Sequence, residues 1–138
     1  MQNDKELRRA GLKVTTPRLK ILELLEHANP HHLSAEAIHQ QLKEHGDDVG
    51  LATVYRVLTQ FESAGLIRRH YFEGGFSVFE LEQGLHHDHL VCTRCGLVKE
   101  FMDKTIEKAQ DEIAQKAGFT VTDHHHTIYG VCQNCSAK

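Results

Sequence analysis

Apolar positions in the first half of the chain recur at helical spacing, then change to the two-residue alternation of strands. Residues 3–10 predict a short polar helix ending at Gly11. Thr16-Pro17 reads as a helix start, with Thr16 as cap and Pro17 at the first helical position. The helix predicted through RLKILELLEHA puts Ile21, Leu22, Leu25 and Ala28 on one side, and Asn29-Pro30 stops it. Ser34 caps a second helix, with Glu36 in its first turn and Ile38 and Leu42 as its inner stripe. A third helix starts near Gly50 and is closed by Gly65. It turns Val54, Val57, Leu58 and Phe61 inward and leaves Ala52, Thr53, Tyr55, Arg56, Thr59 and Gln60 outward. LIRRHYF and FSVFEL, around Gly74-Gly75, predict a β-hairpin. Three helices followed by a hairpin make a winged helix-turn-helix, with residues 51–64 as recognition helix.

Composition changes after the polar joint at residues 82–85. Beyond it the pattern predicts a strand at 86–92, a Cys-x-x-Cys-Gly turn, a strand LVKEFM and a helix from Asp103 to about Ala117. That helix is expected to bury Ile106, Ala109, Ile113 and Ala117. Gly118 ends it, and FTVTDHHHTIYGVC is expected to form one long last strand. The fold class is α+β: a winged-helix domain over residues 1–83 and a small α/β domain over residues 84–138. Two small domains gain from a structural metal or a partner copy.

Net charge is −3 over 138 residues, which argues against a generally basic nucleic-acid binder. The first 20 residues carry +4, so a local basic patch remains. No apolar run is long enough to span a membrane, and the charged start MQNDKELRRAGLK is read as no secretory signal. The expected location is the cytoplasm.

Metal-binding side chains crowd the second half. His86-His87-Asp88-His89 is followed at once by Cys92-Thr-Arg-Cys95, and the other two of four cysteines form Cys132-x-x-Cys135. Paired thiols in a chain without an export signal favour metal ligation over disulfides. Four thiolates make a closed tetrahedral site, the arrangement of structural zinc; the alternatives are two redox-active pairs or plain surface thiols. On an extended segment His86 and Asp88 face one way and His87 and His89 the other. His86, Asp88, Glu107 and His124 then form one mixed site. His87 and His89 join His32, Glu80 and Glu100 in another that draws on both domains. Histidine plus carboxylate suits Fe²⁺, Mn²⁺, Co²⁺ or Zn²⁺. His125 and His126, beside His124, are read as mostly solvated. Taken singly, a lone His or Glu here is more readily a solvated polar side chain; the set carries the reading.

An enzyme would need an open metal position and a base in a pocket. There is no HExxH, no Ser/His/Asp pattern and no phosphate loop, so no enzyme is expected. On the reading head, Arg56 offers a fork for guanine or phosphate, and the Tyr55 ring suits thymine methyls. Lys13 could enter a narrow A·T-rich minor groove, with Thr15, Arg18 and Thr53 as phosphate contacts.

GLATVYRVLTQFESAGL, the wing FEGGFSVFEL and HHDHLVCTRCG closely resemble the ferric uptake regulator (Fur) family of bacterial metal-dependent repressors. The likeness runs from GLKVTTPRLKILELLE to the last thiol pair. It implies a C-terminal dimerisation domain and a homodimer, in some members a tetramer. It also implies binding to double-stranded A·T-rich inverted-repeat operators of iron-uptake genes, with ferrous iron as corepressor. Family ligands fall on His86, Asp88, Glu107 and His124, and the sensing set on His32, Glu80, His89 and Glu100, with His87 added in some members. The four cysteines match the family's structural zinc. A peroxide-sensing relative would have aspartates where Glu80 and Glu100 stand, and a zinc-sensing relative a thiol in its regulatory site. A metal buffer, the remaining alternative, would show no DNA preference. The expected mechanism is a hinge at 82–85, with metal fixing the spacing of two recognition helices.

Overall fold

The computed structural model describes residues 2–28, 32–82 and 87–137. The chain divides into two compact units, Met1–Gln83 and Gly84–Lys138. No described helix is long and apolar enough to cross a membrane.

The first unit runs α1 (Gln2–Arg9), α2 (Thr16–Glu26), β1 (His32–Leu33), α3 (Ala35–Glu44), α4 (Leu51–Ser63), β2 (Ile67–Phe72) and β3 (Phe76–Leu81). The polar helix α1 is pinned by one apolar side chain, Leu7, which is fully buried. The cap of α2 is Thr15, not Thr16: its hydroxyl accepts the Arg18 N–H at 3.3 Å. Thr15 is extended, as a cap must be, while Thr16 is already helical. The helix stops at Glu26, so Ala28 falls outside its stripe and is half-buried. Asn29-Pro30, the expected stop, lies outside the described residues. Ser34 caps α3 as predicted, accepting the Ala37 N–H at 3.0 Å.

Helix α4 buries Val54, Val57, Leu58 and Phe61. Its end shows why Gly65 is needed: the residue sits at φ +79°, and Leu66 N–H reaches back to the Phe61 carbonyl at 2.9 Å. Phe61 is at the centre of the helical core, packed among residues such as Leu7, Ile21, Ile38 and Leu58. Phe61→Ala should therefore lower the unit's stability by about 3–5 kcal/mol, read by denaturant unfolding, with zinc content unchanged.

The hairpin turns through Glu73-Gly74-Gly75, with both glycines at positive φ. Sheet order is β1-β3-β2, antiparallel throughout. Strand β1 was not anticipated; two residues are too few to display an alternation. It matters because it sets His32 opposite Glu80.

The second unit runs β4 (Asp88–Cys92), β5 (Val98–Phe101), α5 (Lys104–Lys116), β6 (Thr127–Gly130) and a short α6 (Gln133–Ser136). Central β4 pairs antiparallel with β5 and parallel with β6. Two expectations fail here. The last strand is confined to residues 127–130, since residues 119–126 have no strand partner among the described residues. The stripe on α5 is not buried: Ile106 is half-buried, while Ala109, Ile113 and Ala117 are exposed. Periodicity marks which side of a helix is apolar, not what covers it. Ile113 is 69% exposed and Phe119 73%.

Candidate metal centres and DNA-reading face

The four thiols converge from the β4–β5 turn and the start of α6. Cys92, Cys95, Cys132 and Cys135 have sulfurs all within 4.8 Å of one another, and Cys95 Sγ lies 3.7 Å from Cys132 Sγ. A tetrahedron with bonds of roughly 2.3 Å has edges of roughly 3.8 Å, so the donor set fits zinc in size and chemistry. Parallel pairing of β4 with β6 makes this possible by bringing Cys92 opposite Gly130. Cys92 Sγ accepts N–H groups from Cys95 at 3.5 Å and Cys132 at 3.3 Å. Those donors hold its thiol down at about 6. Cys135 is pushed up to about 12, first by its hydrogen bond to Cys132 and then by desolvation. Four thiolates cannot coexist at this spacing without a cation among them.

A second set joins Asp88, Glu107 and His124, again with donor atoms within 4.8 Å. Asp88 is fully buried, and His124 Nε2 lies 2.8 Å from Glu107 Oε2. Glu107 is held in the first turn of α5 by the Asp103 cap, whose Oδ1 accepts from Thr105 and Ile106. His86 lies outside the described residues. The triple histidine splits three ways. His124 joins the set, and His125 is exposed beside Asp123 at 3.3 Å. His126, expected to be solvated, is half-buried and 3.2 Å from Gln110 Nε2 through Nδ1. The chemistry of the set, one imidazole with two carboxylates, suits Fe²⁺, Mn²⁺ or Zn²⁺.

The other predicted ligands fall into two groups, one in each unit. In the first, His32 and Glu80 are buried and directly opposed across β1 and β3, so their side chains share a face. His70 completes this group, bonding Glu80 through Nε2. Sequence reasoning gave His70 no role. The available signal was register: His70 opposes Val78, which places it diagonally from Glu80 on the same face. In the second group, His89 opposes Glu100 across β4 and β5 and is buried. His87 Nε2 lies 3.5 Å from Glu100 Oε1, and its ring meets that of His89 edge-on at 5.1 Å.

On the helical unit, Arg56 is exposed, and Thr53 and Tyr55 are half-exposed along α4. The Tyr55 hydroxyl donates to Glu36 Oε1 at 2.6 Å, and this bond is the main reason its ionisation is pushed above the ordinary value. Lys13 and Thr15 are exposed. Arg18 acts as a brace: its guanidinium donates to the Lys13 carbonyl at 2.8 Å and to Gln60 Oε1 on α4 at 2.9 Å. Lys20 is paired with Asp47, which removes its charge from the basic patch. Unanticipated from sequence, Arg69 lies over the rings of Tyr71 at 4.6 Å and Phe79 at 5.1 Å.

Comparison with known proteins comes down on one group. A model of the Ferric uptake regulator family matches residues 9–129. The chain is 61% identical over 135 residues to the ferric uptake regulation protein of Legionella pneumophila, covering 98% of this chain and 99% of that one. The crystal structure of the Vibrio cholerae ferric uptake regulator superposes with a TM-score of 0.89 at 55% identity, over 94% of this chain and 99% of that one. The ferric uptake regulator from Francisella tularensis with iron superposes with a TM-score of 0.85 at 43% identity, over 91% and 96%.

Proposed function

The chain belongs to the ferric uptake regulator family, and from that premise we propose how its metal sets and its winged helix work together. It is an iron-dependent transcriptional repressor, a DNA-binding regulator and not an enzyme. Cys92, Cys95, Cys132 and Cys135 hold structural zinc. Asp88, Glu107 and His124, with His86, hold one divalent ion. The regulatory ferrous ion takes its donors from His32, Glu80, His87, His89 and Glu100, and Mn²⁺, Co²⁺ or Zn²⁺ can substitute. The observation that carries this reading is the segregation of donors. Sulfur is confined to one set and histidine with carboxylate to the others, on a chain whose remaining half is a winged helix.

When bound, the regulatory ion supplies positive charge that links ligand occupancy to the DNA-reading unit. The Vibrio cholerae relative is described as undergoing structural rearrangement of its DNA-binding domains, which is the kind of motion such a link would bias. Here His32 and Glu80 would carry the response into β1 and β3, and so to the hairpin. A coupling of about 1–3 kcal/mol changes DNA affinity roughly 5–150-fold, and DNA must tighten metal binding by the same factor.

The operator is an A·T-rich inverted repeat near iron-uptake genes, read in the cytoplasm by a homodimer, with a dimer of dimers as the larger assembly. Exposed Ile113, Phe119 and Ile128 in the second unit supply apolar surface for self-association. On the reading unit, Arg56 and Tyr55 meet base edges, Lys13 the minor groove, and Thr15, Arg18 and Thr53 the phosphates. Arg56→Ala should weaken operator binding by about 1–3 kcal/mol while metal stoichiometry stays unchanged. The test of the whole reading is an anaerobic gel shift with an A·T-rich inverted repeat against a titration of Fe²⁺, Mn²⁺ and Zn²⁺. Affinity for DNA that ignores metal, or metal binding without DNA preference, rejects it.

A further inference from the structure

We infer that Glu36 is a positioning residue for base reading: its carboxylate holds the Tyr55 ring in the one orientation that presents it to a thymine methyl. The inference rests on the reading above, in which α4 faces DNA.

Glu36 stands in the first turn of α3, where Ser34 fixes the start of the helix. Tyr55 stands on α4, and its phenol donates to Glu36 Oε1 at 2.6 Å. A neutral donor on an ionised acceptor is a strong bond of its kind. Tyr55 packs along one side against the helical core, and the freedom its exposed side keeps must be lost when it meets a base. The tether removes that freedom in advance, which is how preorganisation raises both affinity and selectivity.

The placement of the charge makes the same point. Glu36 is exposed on a surface meant to approach phosphates, where a carboxylate is repelled. Its side chain turns to a hydroxyl on the neighbouring helix and so gains a use that offsets the repulsion. The Arg69 guanidinium on β2 only weakly opposes the effect of Glu36 on the Tyr55 ionisation, so the carboxylate remains the main influence on the phenol.

The experiment compares two duplexes at saturating Mn²⁺ and fixed salt: an A·T-rich inverted repeat, and the same duplex with deoxyuridine in place of thymidine. The readout is the ratio of their dissociation constants. The unsubstituted protein should prefer thymine by about fourfold per contacted methyl. Glu36→Ala and Tyr55→Phe should each bring that ratio close to one, and the double substitution should go no further. Glu36→Gln, whose amide oxygen still accepts the phenol, should keep most of it. Loss of the carboxylate should raise affinity for both duplexes alike, so affinity alone is not the measure. Circular dichroism separates the effect from loss of helix.

A ratio preserved in Glu36→Ala overturns the inference, as does additivity of the two single substitutions or an unsubstituted protein blind to the methyl. Failure of the unsubstituted protein to bind either duplex with metal rejects the functional reading itself, and the inference falls with it.

Discussion

Replacing His89 by alanine is expected to abolish metal-stimulated operator binding while the protein stays folded and keeps its zinc. His89 lies in the middle of β4, buried, with Glu100 opposite and the His87 ring against it. Its backbone N–H bonds the His126 carbonyl at 3.1 Å, a contact that alanine retains, so the strand should survive. What disappears is one imidazole donor from the regulatory set. Loss of the whole coupling would remove the roughly 5–150-fold gain in DNA affinity that metal confers. The measurement is the operator dissociation constant with and without Fe²⁺ under anaerobic conditions. An undiminished metal response in the variant would sink the sensor assignment, whatever happened to basal affinity.

Cys92→Ser should be still more damaging, and to one unit only. Cys92 is the thiol whose sulfur accepts two backbone N–H groups, and they pull its pKa down to about 6. Around it there is little else: the buried apolar residues described in the second unit are Val91, Cys92 and Val98. A structural zinc contributes on the order of 10 kcal/mol, comparable to the entire stability of a domain. Without it the second unit should lose most of its amide protection in hydrogen exchange, and the dimer should weaken. Amides of α4 around Leu58 and Phe61, inside a separate core, should stay protected. Full zinc content with unchanged protection would reject a structural role for the thiols.

The helical half was largely legible because its signals are local. Ser34, Gly65 and the inward stripe of α4 are read within a few residues of each other, and each is found as expected. Apart from the two-residue β1, errors there are one or two residues wide, as with Thr15 for Thr16, where adjacent hydroxyls are equivalent caps until backbone angles choose, and with a helix that ends at Glu26 and not Ala28. The second half depends on partners that sequence does not display. The alternation of FTVTDHHHTIYG suggests a strand, but only residues 127–130 have β4 to pair with. The apolar side of α5 was located correctly and its burial was not. The candidate metal ligands were conspicuous because histidine, cysteine and acid seldom crowd together without cause. His70 escaped notice because nothing near it in sequence is a ligand; only the hairpin register makes it a neighbour of Glu80.

Parallel pairing of β4 with β6 also has a bearing on biosynthesis. The first unit is built mostly from neighbours in sequence, whereas β4 must wait for residues 127–130 before its sheet is complete. Contacts of such separation form slowly, and a chain emerging from the ribosome folds from its N-terminus. The nascent polypeptide should therefore display a finished winged helix while its later portion is still unstructured. Released chains truncated near residue 118 should resist proteolysis over the first unit and be cleaved freely beyond it.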